Sequence, residues 1–219
     1  MITFEDIRHN EEVNTYIRMA DRTMVAMGFT EHSFAHMTKI AIESGHILEM
    51  LGYNPRICEL ARIAGYMHDI GNMINRYDHA QSGAVMAFTI LTKLGMPPDE
   101  IAVITCAIGN HDEKTAVPVN AVSSVLILAD KMDVRRTRVR DPRNIDVDIH
   151  DRVNFAVTDA RWELNLERKD LTLRVTIDNT ICPVMDFFEI FLDRMLLCRK
   201  AADFLGLTFR LEINGSPLL

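Results

Sequence analysis

The chain has 219 residues, a formal net charge of −7 and an apolar fraction of 48%, enough for one cored domain or one domain with a small appendage. The negative balance argues against a general nucleic-acid binder, and no stretch is long and apolar enough to span a bilayer. Cys58, Cys106, Cys182 and Cys198 are widely spaced with no Cys-x-x-Cys pair, and the N-terminus has early charges without a signal-type apolar core; reduced thiols in a cytoplasmic protein are expected.

The first two-thirds reads as helices. Val13, Ile17, Met24 and Met27 make a helical stripe over 10–28. A second helix is predicted over 30–51, stopped by Gly52. Asn54-Pro55 offers an N-cap and a first-turn proline for a third, running to His68-Asp69 and ending near Gly71. Asp78 with Gln81 resembles a capping box for a helix that stops at Gly95. Pro97-Pro98-Asp99-Glu100 opens another, ending around His111, and a further helix is predicted over 121–133.

The character changes after Asp141-Pro142-Arg143. Residues 162–166, 171–177 and 207–213 alternate apolar and polar, the mark of half-buried strands, with a turn at 167–170. Between the second and third strands, 183–205 reads as one amphipathic helix ended by Gly206. The prediction is a mainly α fold: a helical domain over 1–145 and a small α+β extension, β-β-α-β, over 146–219. Phe187, Phe188, Ile190, Phe191, Met195 and Leu196 are many apolar residues for one helix face. The extension is therefore expected to pack on the helical domain or on a second copy of itself, making a homodimer an expected partner.

Polar residues recur at the predicted helix ends in the order His36, His68-Asp69, His79, His111, Asp130. Taken singly, a histidine on an apolar face is more often a satisfied core residue than a ligand. As a series they read differently. Asp69 and Asp130 adjoin apolar stretches, where a carboxylate needs a charged partner, and a divalent cation would serve both. Imidazole and carboxylate suit iron, manganese, zinc and similar ions. Ligands on five helices meet only if a bundle brings them together.

With their surroundings, these residues resemble the HD-domain superfamily of metal-dependent phosphohydrolases. Ala64-Gly-Tyr-Met-His68-Asp69-Ile-Gly with His36 matches the first half of its pattern. His79-Ala-Gln-Ser-Gly-Ala, Ala107-Ile-Gly-Asn-His111 and Leu128-Ala-Asp130-Lys match the second half in multi-metal members. The resemblance covers roughly residues 30–140 and implies an HD-type helical bundle. It implies that His36, His68, Asp69 and Asp130 hold a first ion, and that His79 and His111 hold a second with Asp69 bridging. The two ions would be divalent, drawn from Fe, Mn, Mg, Zn and Ni. Asn72 stands where the HD-GYP cyclic dinucleotide enzymes have lysine, and His111-Asp112 where they have His-His; these departures point away from cyclic di-GMP. Asp112 is open as a ligand, an outer partner of a ligand or a solvated helix-end carboxylate.

The expected activity is cleavage of a phosphate ester, of a nucleotide or related small molecule, by metal-activated water. Asp69 and Lys131 are the expected catalytic residues. Lys131, Arg135 and Arg136 are the expected phosphate contacts, within a basic run that continues through Arg138, Arg140 and Arg143. The alternative for this run is a solvated basic face. His32, four residues before His36 and on the same expected helix face, is a substrate-contact candidate, with a packing role equally open. Two rival functions stay open: a di-iron oxygenase with the same ligand order, and a non-catalytic metal-stabilised binding or signalling module.

Overall fold

The structure, a computed structural model, describes residues 1–140 and 149–218. The chain divides into two compact units, Met1–Ala129 and Asp130–Leu219. The boundary expected at 145/146 and Arg143 lie outside the described residues. Among the described residues, no helix is long and apolar enough to cross a membrane.

The first unit is helical: α1 (Phe4–Arg8), α2 (Glu11–Ala26), α3 (Phe34–Met50), α4 (Pro55–Met67), α5 (His79–Lys93), α6 (Pro98–Gly109) and α7 (Ala121–Lys131), the last running past the unit's end. A 3-10 turn at Ile70–Met73 links α4 to the segment before α5. Asn54 caps its helix as predicted, and two asparagines not read as caps from the sequence, Asn10 and Asn120, do the same for α2 and α7. Asn10 accepts from Val13 N at 3.0 Å and Asn54 from Arg56 N at 2.8 Å, each satisfying one orphan donor of a first turn. Asn120 accepts from Ser123 N at 2.8 Å, while Ser123 Oγ accepts from Asn120 N at 3.0 Å, a reciprocal cap before α7.

Two expectations are corrected. The second predicted helix begins at Phe34 rather than Thr30, because Ser33 caps it by accepting from Ala35 N. His32 therefore lies before α3 and does not share a helix face with His36. No capping box forms at Asp78: its φ is 56°, left-handed backbone that an aspartate tolerates but that lacks the extended N-cap geometry. Gln81 Nε2 instead donates to Gly109 O at 3.3 Å.

The core of this unit is aliphatic, with Ile17, Met24, Ile40, Leu48, Ile63, Leu91 and Ile104 out of contact with water. Each such side chain contributes roughly 1.5–3 kcal/mol. Two glycines set the approaches that matter for the polar residues. A Cβ on Gly65 would lie 2.8 Å from Ala41 Cα, so α3 and α4 cross backbone to backbone there. Gly71 meets the first turns of α5 still more closely.

The second unit contains α8 (Ile149–Ala156), β1 (Val157–Asn165), β2 (Asp170–Ile177), α9 (Val184–Phe204), β3 (Thr208–Ile213) and a two-residue β4 (Ser216–Pro217). The sheet order is β1-β2-β3-β4, with β1 antiparallel to β2, β2 parallel to β3 and β4 antiparallel to β3. A parallel neighbour requires a long crossover, and α9 supplies it. Leu171, Leu173, Val175 and Ile177 of β2 and Phe209, Leu211 and Ile213 of β3 are buried, as their alternation predicts. Phe187, Phe191, Met195 and Cys198 form the buried stripe of α9. The fold is thus mainly α with a small C-terminal α+β extension; β4 and α8 were not among the predicted elements.

Candidate metal centre

Asp69 follows the last turn of α4, fixed by His68 as the helix C-cap and by the 3-10 turn beyond it. It is 3% exposed, and its two carboxylate oxygens face different histidines. On the Oδ2 side are His68 Nε2 at 3.4 Å, His32 Nε2 at 3.7 Å and His36 Nε2 at 4.0 Å. On the Oδ1 side are His79 Nε2 at 3.3 Å and His111 Nε2 at 3.6 Å. All five rings are buried. Each arrives from a different local structure: the segment before α3, the first turn of α3, the C-cap of α4, the first residue of α5, and the residue that follows α6 and its cap Asn110.

The tautomers follow from the other ring nitrogen. His32 Nδ1 lies 2.8 Å from Thr30 O, His68 Nδ1 2.8 Å from Gly65 O, His79 Nδ1 3.0 Å from Arg76 O and His111 Nδ1 2.6 Å from Ile108 O. A carbonyl can only accept, so in each ring Nδ1 carries the proton and donates it. A neutral ring then turns an Nε2 lone pair toward Asp69. His79 and His111 also bring their Nε2 atoms within 3.2 Å of each other. Lone pairs converging on a carboxylate and on one another require positive charge among them, as extra protons on the imidazoles or as a bound cation. Main-chain carbonyls orienting imidazoles through Nδ1–H are also how metal-binding histidines are held. The donor set therefore fits divalent ions, and Asp69 with one oxygen toward each histidine group fits a shared ligand. His68, Asp69 and His111 form a compact, buried donor group.

Burial pushes the Asp69 carboxyl up, but where the rings carry the extra protons the charge of His68 and hydrogen bonds from His111, His68 and His79 outweigh it. Asp69 is held well below the usual carboxylate range, ionised in the form a cation needs. Asp112 Oδ1 stands 4.0 Å from His79 Nε2, on the Oδ1 side of the cluster.

Two residues to which the sequence reading gave no place in the site complete the surroundings. Asn72, fully buried, donates to Asp69 O at 3.1 Å. Arg76 Nη1 lies 3.3 Å from both Asn72 Oδ1 and His79 Nε2, and 4.0 Å from Asp69 Oδ1. The one signal for Arg76 was a cation in the short segment between Asp69 and His79, which has to pass the site.

Asp130 and Lys131 open the second unit at the end of α7, both buried, with Lys131 Nζ 2.7 Å from Asp130 Oδ2. The arginines that follow make contacts within that unit. Arg135 Nε is 2.9 Å from Asp133 Oδ1, and Arg138, buried, has Nη1 3.8 Å from Asp133 Oδ2. Arg136 Nε donates to Phe155 O at 2.6 Å, with its guanidinium 4.6 Å from that ring's centre.

No protein-family model matches the chain, and no curated protein matches it. Among solved structures, it is similar to a predicted HD superfamily hydrolase from an uncultured Thermotogales bacterium. The two share 24% identity over 58% of this chain and 69% of that one, with a TM-score of 0.45.

Proposed function

We propose that this chain is a metal-dependent phosphohydrolase of the HD type, acting on a phosphate ester of a nucleotide or related small molecule in the cytoplasm. The observation that carries the reading is the division of one carboxylate, Asp69 Oδ2 toward His32, His36 and His68 and Oδ1 toward His79 and His111. In this reading His36, His68, Asp69 and, from the sequence series, Asp130 hold one divalent ion. Asp69, His79 and His111 hold a second, with iron and manganese the leading identities.

Such ions supply a water of lowered pKa and positive charge against a phosphoryl oxygen. The chain's own residues do the rest. Main-chain carbonyls fix the ring tautomers, and Asp69 stays ionised between the two groups of histidines. Burial of the rings keeps bulk water from the donors. Lys131, next to Asp130, offers an ammonium to a phosphate oxygen, and His32 offers a ring at the edge of the cluster. For Arg135 and Arg136 a substrate role requires leaving their contacts with Asp133 and Phe155.

The test is metal analysis of anaerobically purified protein, followed by a screen of phosphomonoesters, phosphodiesters and nucleotides with Mn²⁺ or Fe²⁺, alongside Asp69→Ala. Hydrolysis by the wild type and none by the variant is expected. A histidine-rich donor set also suits iron and O₂, so oxygen uptake belongs in the same screen. Uptake without hydrolysis would replace the hydrolase by an oxygenase, and a loaded protein inert in both would leave a binding module.

A further inference from the structure

We propose that Arg76 anchors the phosphate of the substrate, a role that rests on the phosphohydrolase reading above. Arg76 touches both nitrogens of one expected ligand: its carbonyl accepts from His79 Nδ1 at 3.0 Å, and its Nη1 lies 3.3 Å from His79 Nε2. Of its nitrogens only Nη1 is hydrogen-bonded, while the guanidinium carbon lies 5.8 Å from the centre of the Phe29 ring. The partners of Nη1 are His79 Nε2, Asn72 Oδ1 at 3.3 Å and, more distantly, Asp69 Oδ1 at 4.0 Å. Among the described residues no acceptor pairs with its Nε or Nη2. The contrast with Arg56 is direct, since that guanidinium makes a bidentate pair with Glu100.

A permanently charged planar fork with two donors to spare suits phosphate oxygens. Its side chain is 26% exposed, so an anion arriving from solvent can reach it. An ion ligated by His79 Nε2 and the Arg76 guanidinium compete for one lone pair and repel each other. Loading the site therefore turns the guanidinium away from His79, with its charge unspent beside the reaction centre. Asn72 supplies the resting acceptor: its amide is tied to Asp69 O at 3.1 Å, which fixes Oδ1 toward Arg76.

The experiment is calorimetric titration of inorganic phosphate into the metal-loaded full chain, for wild type, Arg76→Gln and Arg76→Lys, with metal content measured on each sample. The expected result is unchanged metal content, phosphate affinity weakened about 10- to 100-fold by Arg76→Gln, and an intermediate loss for Arg76→Lys, which keeps the charge but not the fork. Wild-type affinity in Arg76→Gln overturns the role and leaves the hydrolase reading standing. Loss of metal in Arg76→Gln also overturns it, making Arg76 a support for His79. A loaded wild type that binds no phosphate overturns both.

Discussion

Gly71 and His79 touch backbone to backbone: a Cβ on Gly71 would sit 2.0 Å from His79 O and 2.5 Å from Gly83 N. No rotamer change relieves that contact, because both atoms are main chain of α5. Gly71→Ala is expected to force the 3-10 turn and α5 apart, moving Asp69 and His79 relative to each other. The cost should lie at or above the upper end of the ~1–3 kcal/mol typical of overpacking. Gly109→Ala is the control, since its Cβ would meet only Ala84 Cβ at 3.6 Å, an ordinary contact. It should stay within about 1 kcal/mol of wild type. Urea unfolding of both variants decides it, and equal stabilities would mean that the turn yields without cost.

Much of this arrangement was legible in the sequence, for reasons that differ by element. Apolar periodicity located α2, and the Asn54-Pro55 start located α4, because these signals act within a few residues. Alternation located β2 and β3 because one face of each is buried. The left-handed backbone at Asp78 was not legible, since it follows from how the chain must turn after Gly71 to enter α5. The same applies to His32, whose approach to Asp69 comes from an irregular segment without period. The series from His36 to His111 was readable as residue types. The assignment of one Asp69 oxygen to each group of histidines depends on three helices and a turn meeting at Gly65 and Gly71, and no local pattern encodes that.

Asp69 is the residue both groups share, so Asp69→Ala should abolish metal binding and phosphate-ester hydrolysis together. The helices depend on aliphatic burial and caps elsewhere, so far-UV circular dichroism should stay near wild type. A ligand that binds only the folded state raises its stability by RT ln(1 + [L]/Kd), about 2.7 kcal/mol at a hundredfold excess over Kd. Mn²⁺ should therefore raise the thermal midpoint of chelator-treated wild type and leave that of Asp69→Ala unmoved. A variant that still gains stability from the ion would show that Asp69 is no ligand.

His79 lies only on the Oδ1 side of Asp69, and its Nε2 is 3.2 Å from that of His111. His79→Ala should lose one ion of two by elemental analysis and keep the other with His36 and His68. Activity should fall at least a hundredfold if both ions act on one phosphoryl group, since each would stabilise a different oxygen. Loss of both ions, or of neither, would remove the division of the centre into two subsites.

The Arg56–Glu100 pair gives a pH dependence that is independent of the metal centre. Glu100 accepts from Arg56 Nε at 2.6 Å and again from Nη2, while Arg56 Nη1 donates to Ile2 O at 2.8 Å, tying α4, α6 and the N-terminus together. The hydrogen bonds from Arg56 outweigh a smaller effect of burial and hold the Glu100 carboxyl below its ordinary 4.5. A carboxyl with a depressed folded value binds fewer protons folded than unfolded. Its contribution is therefore complete above the unfolded value and fades as pH falls through 4.5 toward the folded one. Glu100→Gln should cost about 1–2 kcal/mol at pH 7, in line with charge-assisted hydrogen bonds at a largely buried position. The gap between wild type and variant should narrow steadily below pH 4.5, read from urea unfolding at a series of pH values. A gap constant down to pH 3 would mean that the ion pair contributes nothing, and that the loss in Glu100→Gln comes from packing alone.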